Sequence, residues 1–91
     1  MAIKPSDIIA DGKDSISING IEVRKGSVGA FLANISLLEN DATSVQQKKE
    51  AIDTMIELAP SLIAAGLHRH VTFKNEQAQH ILDSAAHDLI C

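Results

Sequence analysis

The dipeptide Asn19-Gly20 separates two short runs in which apolar and polar residues alternate, and this arrangement narrows the choice of fold. Asn-Gly is the preferred pair for a two-residue type I′ turn, in which both residues have positive φ. Such a turn places the four flanking apolar side chains on one side of the ribbon. These residues are Ile16, Ile18, Ile21 and Val23. The pattern predicts a β-hairpin over residues 15–24, and its apolar side needs a covering layer because two strands alone are marginal in water.

Three later segments have hydrophobic residues at the intervals of three and four that are typical of α-helices. They cover about residues 28–40, 45–65 and 76–90. Ser44 and Gln47 match a capping box, in which two side chains satisfy free backbone amides at the start of a helix. The expected N-cap residues of the three helices are Ser27, Ser44 and Asn75.

Residues 70–73 alternate again and include β-branched side chains, which predicts a third strand beside the hairpin with Val71 and Phe73 facing inward. A short helical turn is expected over residues 5–10. A chain of 91 residues has room for one domain only. We therefore predict a single α+β domain over residues 1–91, in which a small antiparallel sheet packs against three helices.

The charge balance argues against nucleic acid as the main partner. The chain has 8 Lys and Arg against 12 Asp and Glu, for a net charge of −4. Affinity for phosphate backbones requires clustered cations, and the densest basic stretch, residues 68–74, holds only Arg69 and Lys74. Cys91 is the only cysteine, and the sequence shows neither a signal peptide nor a run of apolar residues long enough to span a membrane. These features lead us to expect a cytoplasmic protein without membrane contact.

The first predicted helix is apolar around almost its whole circumference, interrupted only by Asn34 and Ser36. So short a chain has little material to cover such a helix on every side, and extensive exposed apolar surface usually marks a contact. Because twofold dimers are the commonest closed assembly, we expect a homodimer. The candidate interface residues are Val28, Phe31, Leu32, Leu37 and Leu38, with Leu62 and Ile63 behind them.

The last predicted helix carries a row of residue types that bind metals. His80, Asp83 and His87 follow one another at steps of three and four, so they lie on one side of the helix and could approach a single Zn²⁺ or Ni²⁺. The simpler interpretation is that these three residues form the solvated side of an amphipathic helix, because no CxxC or HExxH pattern accompanies them. We therefore expect no cofactor, with zinc or nickel as the alternative.

Two further patterns suggest other classes of protein. His68 and His70 would share one face of an extended segment and could act as acid and base, although no carboxylate or nucleophile lies near them in sequence. Residues 65–67 resemble the turn of a helix-turn-helix motif, but the next helix signal begins only at Asn75, which is too late for that motif.

The sequence thus favours a small non-enzymatic interaction or regulatory module that self-associates and could also bind another protein. A metal-binding or histidine-using enzyme and a DNA-binding regulator are the alternatives that it leaves open.

Overall fold

The chain folds into a two-stranded sheet and three α-helices, which confirms the predicted α+β class. The computed structural model describes residues 15–18, 20–24 and 26–90, and the helical turn expected over residues 5–10 lies outside these ranges. In chain order the elements are β1 (Ser15–Ile18), β2 (Ile21–Arg24), α1 (Ser27–Glu39), α2 (Val45–Ala65), a 3₁₀ turn (Leu67–Arg69) and α3 (Glu76–Ile90). In this part of the chain no helix is both long and apolar enough to cross a membrane.

The two strands form the predicted antiparallel hairpin, in which Ile18 pairs with Ile21. Strand β2 of the hairpin packs on α2. Val23 on β2 is buried, and the Ser61 hydroxyl of α2 donates a hydrogen bond to the Glu22 carbonyl oxygen at 3.2 Å. The covering layer that the hairpin requires is therefore a helix.

Two exposed glycines are expected to respond oppositely to alanine. Gly20 has φ +79° in the hairpin turn, whereas Gly29 lies in helix α1, and a Cβ added at either would meet no atom within 4 Å. Backbone preference alone therefore decides the effect. Gly20→Ala should lower the free energy of unfolding by about 1–2 kcal/mol, and Gly29→Ala should raise it by about 0.5–1 kcal/mol. Urea denaturation at low protein concentration measures both changes, and effects of the same sign would contradict the assigned conformations.

The ends of α2 and α3 follow the sequence signals. The Ser44 hydroxyl accepts a hydrogen bond from the Gln47 amide, and the Gln47 side chain accepts one from the Ser44 amide, both at 3.1 Å. At α3, the Asn75 side chain accepts from the Ala78 amide at 3.0 Å. The N-cap of α1 differs from the prediction: it is Gly26, and the Ser27 hydroxyl instead donates to the Arg24 carbonyl oxygen at 2.7 Å.

The core lies between the three helices, with α2 in the centre. Helix α2 contacts both α1 and α3 and also strand β2. The Phe31 ring on α1 stacks on the Phe73 ring, with their centroids 5.2 Å apart. The core residues are Phe31, Met55, Ala59, Leu62, Ile63, Ala78, Ile81 and Leu82.

The predicted third strand at residues 70–73 is wrong: the sheet formed by the described residues has two strands. The backbone donors of this segment have local partners instead. The Val71 amide donates to the Leu67 carbonyl oxygen at 3.2 Å, and the Phe73 amide donates to the Gln79 side-chain oxygen at 2.7 Å. Val71 is exposed, while Phe73 packs against the helical core. Local hydrogen bonds and the aromatic contact thus take the place of strand pairing.

Candidate interaction surface on helix α1

Helix α1 has no charged side chain over its first three turns, from Ser27 to Leu38. Its inner side packs on the core through Phe31, which is fully buried, and through Ile35 and Leu38, which are half-buried. This packing fixes how the helix is rotated. The opposite side faces outward and remains apolar.

Three large apolar side chains of α1 are exposed, Val28 and Leu32 on one flank of the buried side and Leu37 on the other. Val28 is 39% exposed, Leu32 46% and Leu37 43%. Small exposed residues, Gly29 and Ala33, lie beside them at a spacing of four. We call the surface formed by these five residues the α1 face. It contains half of the six large hydrophobic side chains that are exposed in the described part of the chain.

The two polar side chains in the middle of α1, Asn34 and Ser36, are hydrogen-bonded to backbone oxygens. The Asn34 amide group donates to the Ala30 carbonyl oxygen at 2.8 Å, and the Ser36 hydroxyl donates to the Leu32 carbonyl oxygen at 3.4 Å. These bonds satisfy the donors within the helix, so covering the α1 face would leave few polar groups without partners.

The α1 face allows a close approach by another helix at its centre. Around Gly29, a Cβ built on the backbone would meet no atom within 4 Å. Ala33 follows one turn later and is also exposed. Small side chains on a helix surface let a neighbouring backbone come near, while the flanking larger residues supply apolar contact area.

The structure separates the predicted interface residues into core and surface. Phe31, Leu62 and Ile63 are buried within the single chain, since the three helices pack around them, and Leu38 is half-buried. These three residues leave almost no exposed surface for a second copy to contact. The accessible part of the predicted interface is therefore Val28, Leu32 and Leu37.

The predicted metal ligands are not assembled into a recognisable metal centre. Within residues 15–18, 20–24 and 26–90, no three His, Cys, Asp or Glu side chains are arranged to hold a metal ion. The Asp83 carboxylate accepts a hydrogen bond from Gln79 at 2.9 Å, and His80 lies at a groove between α2 and α3. The Zn²⁺ or Ni²⁺ site at His80, Asp83 and His87 stays a prediction.

The two histidines near the 3₁₀ turn lie in different environments. His68 is half-buried in the turn, and its Nδ1 atom is enclosed without a hydrogen-bond partner. His70 follows the turn and is exposed. Because residues 70–73 do not form a strand, the two imidazoles do not share a strand face, contrary to the prediction.

No protein-family model, curated protein or solved structure matches this chain. The remaining indication of function lies in the surfaces of the molecule. Among these, the α1 face has an extended apolar area, no charge and hydrogen-bonded polar neighbours. These are the physical properties of a surface that packs against another protein.

Proposed function

We propose that this protein is a small non-enzymatic interaction module that forms a homodimer through the α1 face. The observation that carries the proposal is the exposure of Val28, Leu32 and Leu37 on a helix without charges between Ser27 and Leu38. An uncharged surface can pack against its own copy about a twofold axis without bringing like charges together. Our proposal includes a cytoplasmic location, because a chain with one cysteine has no disulfide of its own.

The proposed dimer is weak. Helix α1 has 13 residues, so it is about 20 Å long at 1.5 Å per residue. A pair of such helices buries less area than a standard stable interface, which needs about 800 Å² from each partner. We therefore expect a reversible dimer whose dissociation constant lies in the micromolar range.

The substitution Leu32→Lys tests the dimer directly. It places a lysine in the middle of the α1 face, where each copy would bury a charge against the apolar surface of the other. We expect the dissociation constant of the dimer to rise about thirtyfold, which corresponds to about 2 kcal/mol. Sedimentation equilibrium over a concentration series gives the dissociation constant of both proteins.

The matched control is Val71→Lys, which makes the same change of charge outside the α1 face. Val71 is 41% exposed, close to the exposure of Leu32. We expect this variant to dimerise like the unmodified protein. Equal weakening by the two lysines, or a 9.7 kDa particle at every concentration of the unmodified chain, would refute the proposal.

A further inference from the structure

A second apolar surface lies between α2 and α3, as an open groove of about 390 Å³. None of its lining residues belongs to α1. Ile56 of α2 lies on one wall and is 55% exposed. Ala59 and Ile81 close the groove toward the core and are almost fully buried. The groove is thus an apolar depression whose floor is formed by packed core side chains.

The parts of α2 and α3 that line the groove carry only negative permanent charges. From residue 50 to the end of α2, and along the whole of α3, there is no Lys or Arg. The acidic residues of these two segments are Glu50, Asp53, Glu57, Glu76, Asp83 and Asp88. Asp88 lines the groove itself, and among the described residues no Lys or Arg forms an ion pair with it. The groove is therefore complementary to a ligand that is apolar and positively charged.

A proline interrupts the helical hydrogen bonding in the wall formed by α2. Pro60 lies inside α2 and lines the groove. Proline has no amide hydrogen, so the regular helical bond from residue 60 to the Ile56 carbonyl oxygen cannot form. The helix therefore lacks one regular hydrogen bond next to the groove.

We propose that this groove binds a basic amphipathic helix of a partner protein. Apolar side chains of the partner would pack on Ile56, and its Lys or Arg residues would pair with Asp88. A helix fits better than a small molecule, because small ligands are mostly enclosed, whereas a groove open along two helices matches the helix-in-groove mode of recognition. The site is separate from the α1 face and does not depend on the dimer.

A synthetic peptide tests this proposal. The probe is a helical peptide of leucine and lysine with one tryptophan on its apolar side. The protein contains no Trp or Tyr, so tryptophan emission reports the peptide alone. We expect a saturable shift of the emission to shorter wavelength, and weaker binding at high salt because ionic attraction is screened. A peptide of the same pattern with glutamate in place of lysine should not bind.

Three variants locate the binding. Ile56→Lys should weaken peptide binding about tenfold or more, and Asp88→Asn should weaken it and reduce its dependence on salt. The matched control is Val45→Lys on the same helix, which adds the same charge at a residue 87% exposed and outside the groove. We expect this control to bind within about twofold of the unmodified protein, as expected for a residue outside the contact. Circular dichroism verifies that all variants keep their helix content.

The possible failures are distinguishable. Equal losses of peptide affinity in Ile56→Lys and Val45→Lys would show that binding depends on the overall charge of the protein. This result would overturn the proposal. Binding of the glutamate peptide, or no binding of the lysine peptide, would also overturn it, as would saturable binding of a long-chain alkylamine without any binding of the peptide. Leu32→Lys should leave peptide binding unchanged and Ile56→Lys should leave the dimer unchanged, so each proposal can fail alone.

Discussion

The substitution Phe31→Ala should lower the free energy of unfolding by about 3–5 kcal/mol. Phe31 is fully buried, belongs to the core between the helices and stacks on the Phe73 ring at a centroid distance of 5.2 Å. Its removal leaves a cavity and also ends the aromatic contact. For a domain of this size the loss is a large share of the total stability, which is typically about 5–15 kcal/mol.

Urea unfolding followed by far-ultraviolet circular dichroism measures this loss. The control is Phe31→Leu, which keeps most of the apolar volume and should cost clearly less than alanine. A loss below about 1 kcal/mol for Phe31→Ala would be too small for a buried phenylalanine and would show that α1 is rotated differently about its axis.

The substitution Leu62→Ala should cost about 2–5 kcal/mol, whereas Leu37→Ala should change stability by less than about 0.5 kcal/mol. Both leucines belong to the interface predicted from the sequence, but Leu62 is fully buried in the core and Leu37 is 43% exposed. The same change from leucine to alanine therefore compares a buried side chain of the monomer with an exposed one. Unfolding at a concentration well below the dimer dissociation constant separates the two effects.

The paired substitutions also distinguish folding from assembly. We expect Leu37→Ala to weaken the dimer while the monomer remains stable, because Leu37 contributes contact area only when a second copy is present. A large loss of monomer stability in Leu37→Ala, or none in Leu62→Ala, would contradict the division between core and surface.

Features fixed by neighbouring residues are predictable from this sequence. The hairpin register follows from Asn19-Gly20 and the alternation around it, and the observed pairs agree. The start of α2 follows from Ser44 and Gln47, whose reciprocal hydrogen bonds need only three residues of separation. The start of α3 at Asn75 has the same local origin.

The segment 70–73 shows why alternation alone is insufficient. Its sequence pattern suits a strand, but a strand in a sheet also requires a neighbouring strand whose backbone hydrogen-bonding groups are free. Here Gln79, six residues further along, accepts from the Phe73 amide, and the Phe73 ring packs on Phe31. Both contacts depend on how the helices pack, and that information is absent from a four-residue window.

The side of a helix that faces the core was predictable only where polar residues mark the other side. On α1, which is apolar all round, the sequence pattern grouped Val28 and Leu32 with Phe31, and only the packing of α2 selects the buried side. On α2, Val45 and Ile56 follow the same helical periodicity as the buried Met55 and Ala59, yet both are exposed. The groove therefore had no signal in the sequence.

Because α2 lies in the centre, the three helices differ in whether they can detach from the others. Helices α1 and α3 each pack on α2, so either outer helix can detach while the other two stay together. Helix α2 cannot detach without releasing both, along with the hairpin that lies on it. We therefore expect the middle of this helix to lose its structure last, together with the fold as a whole.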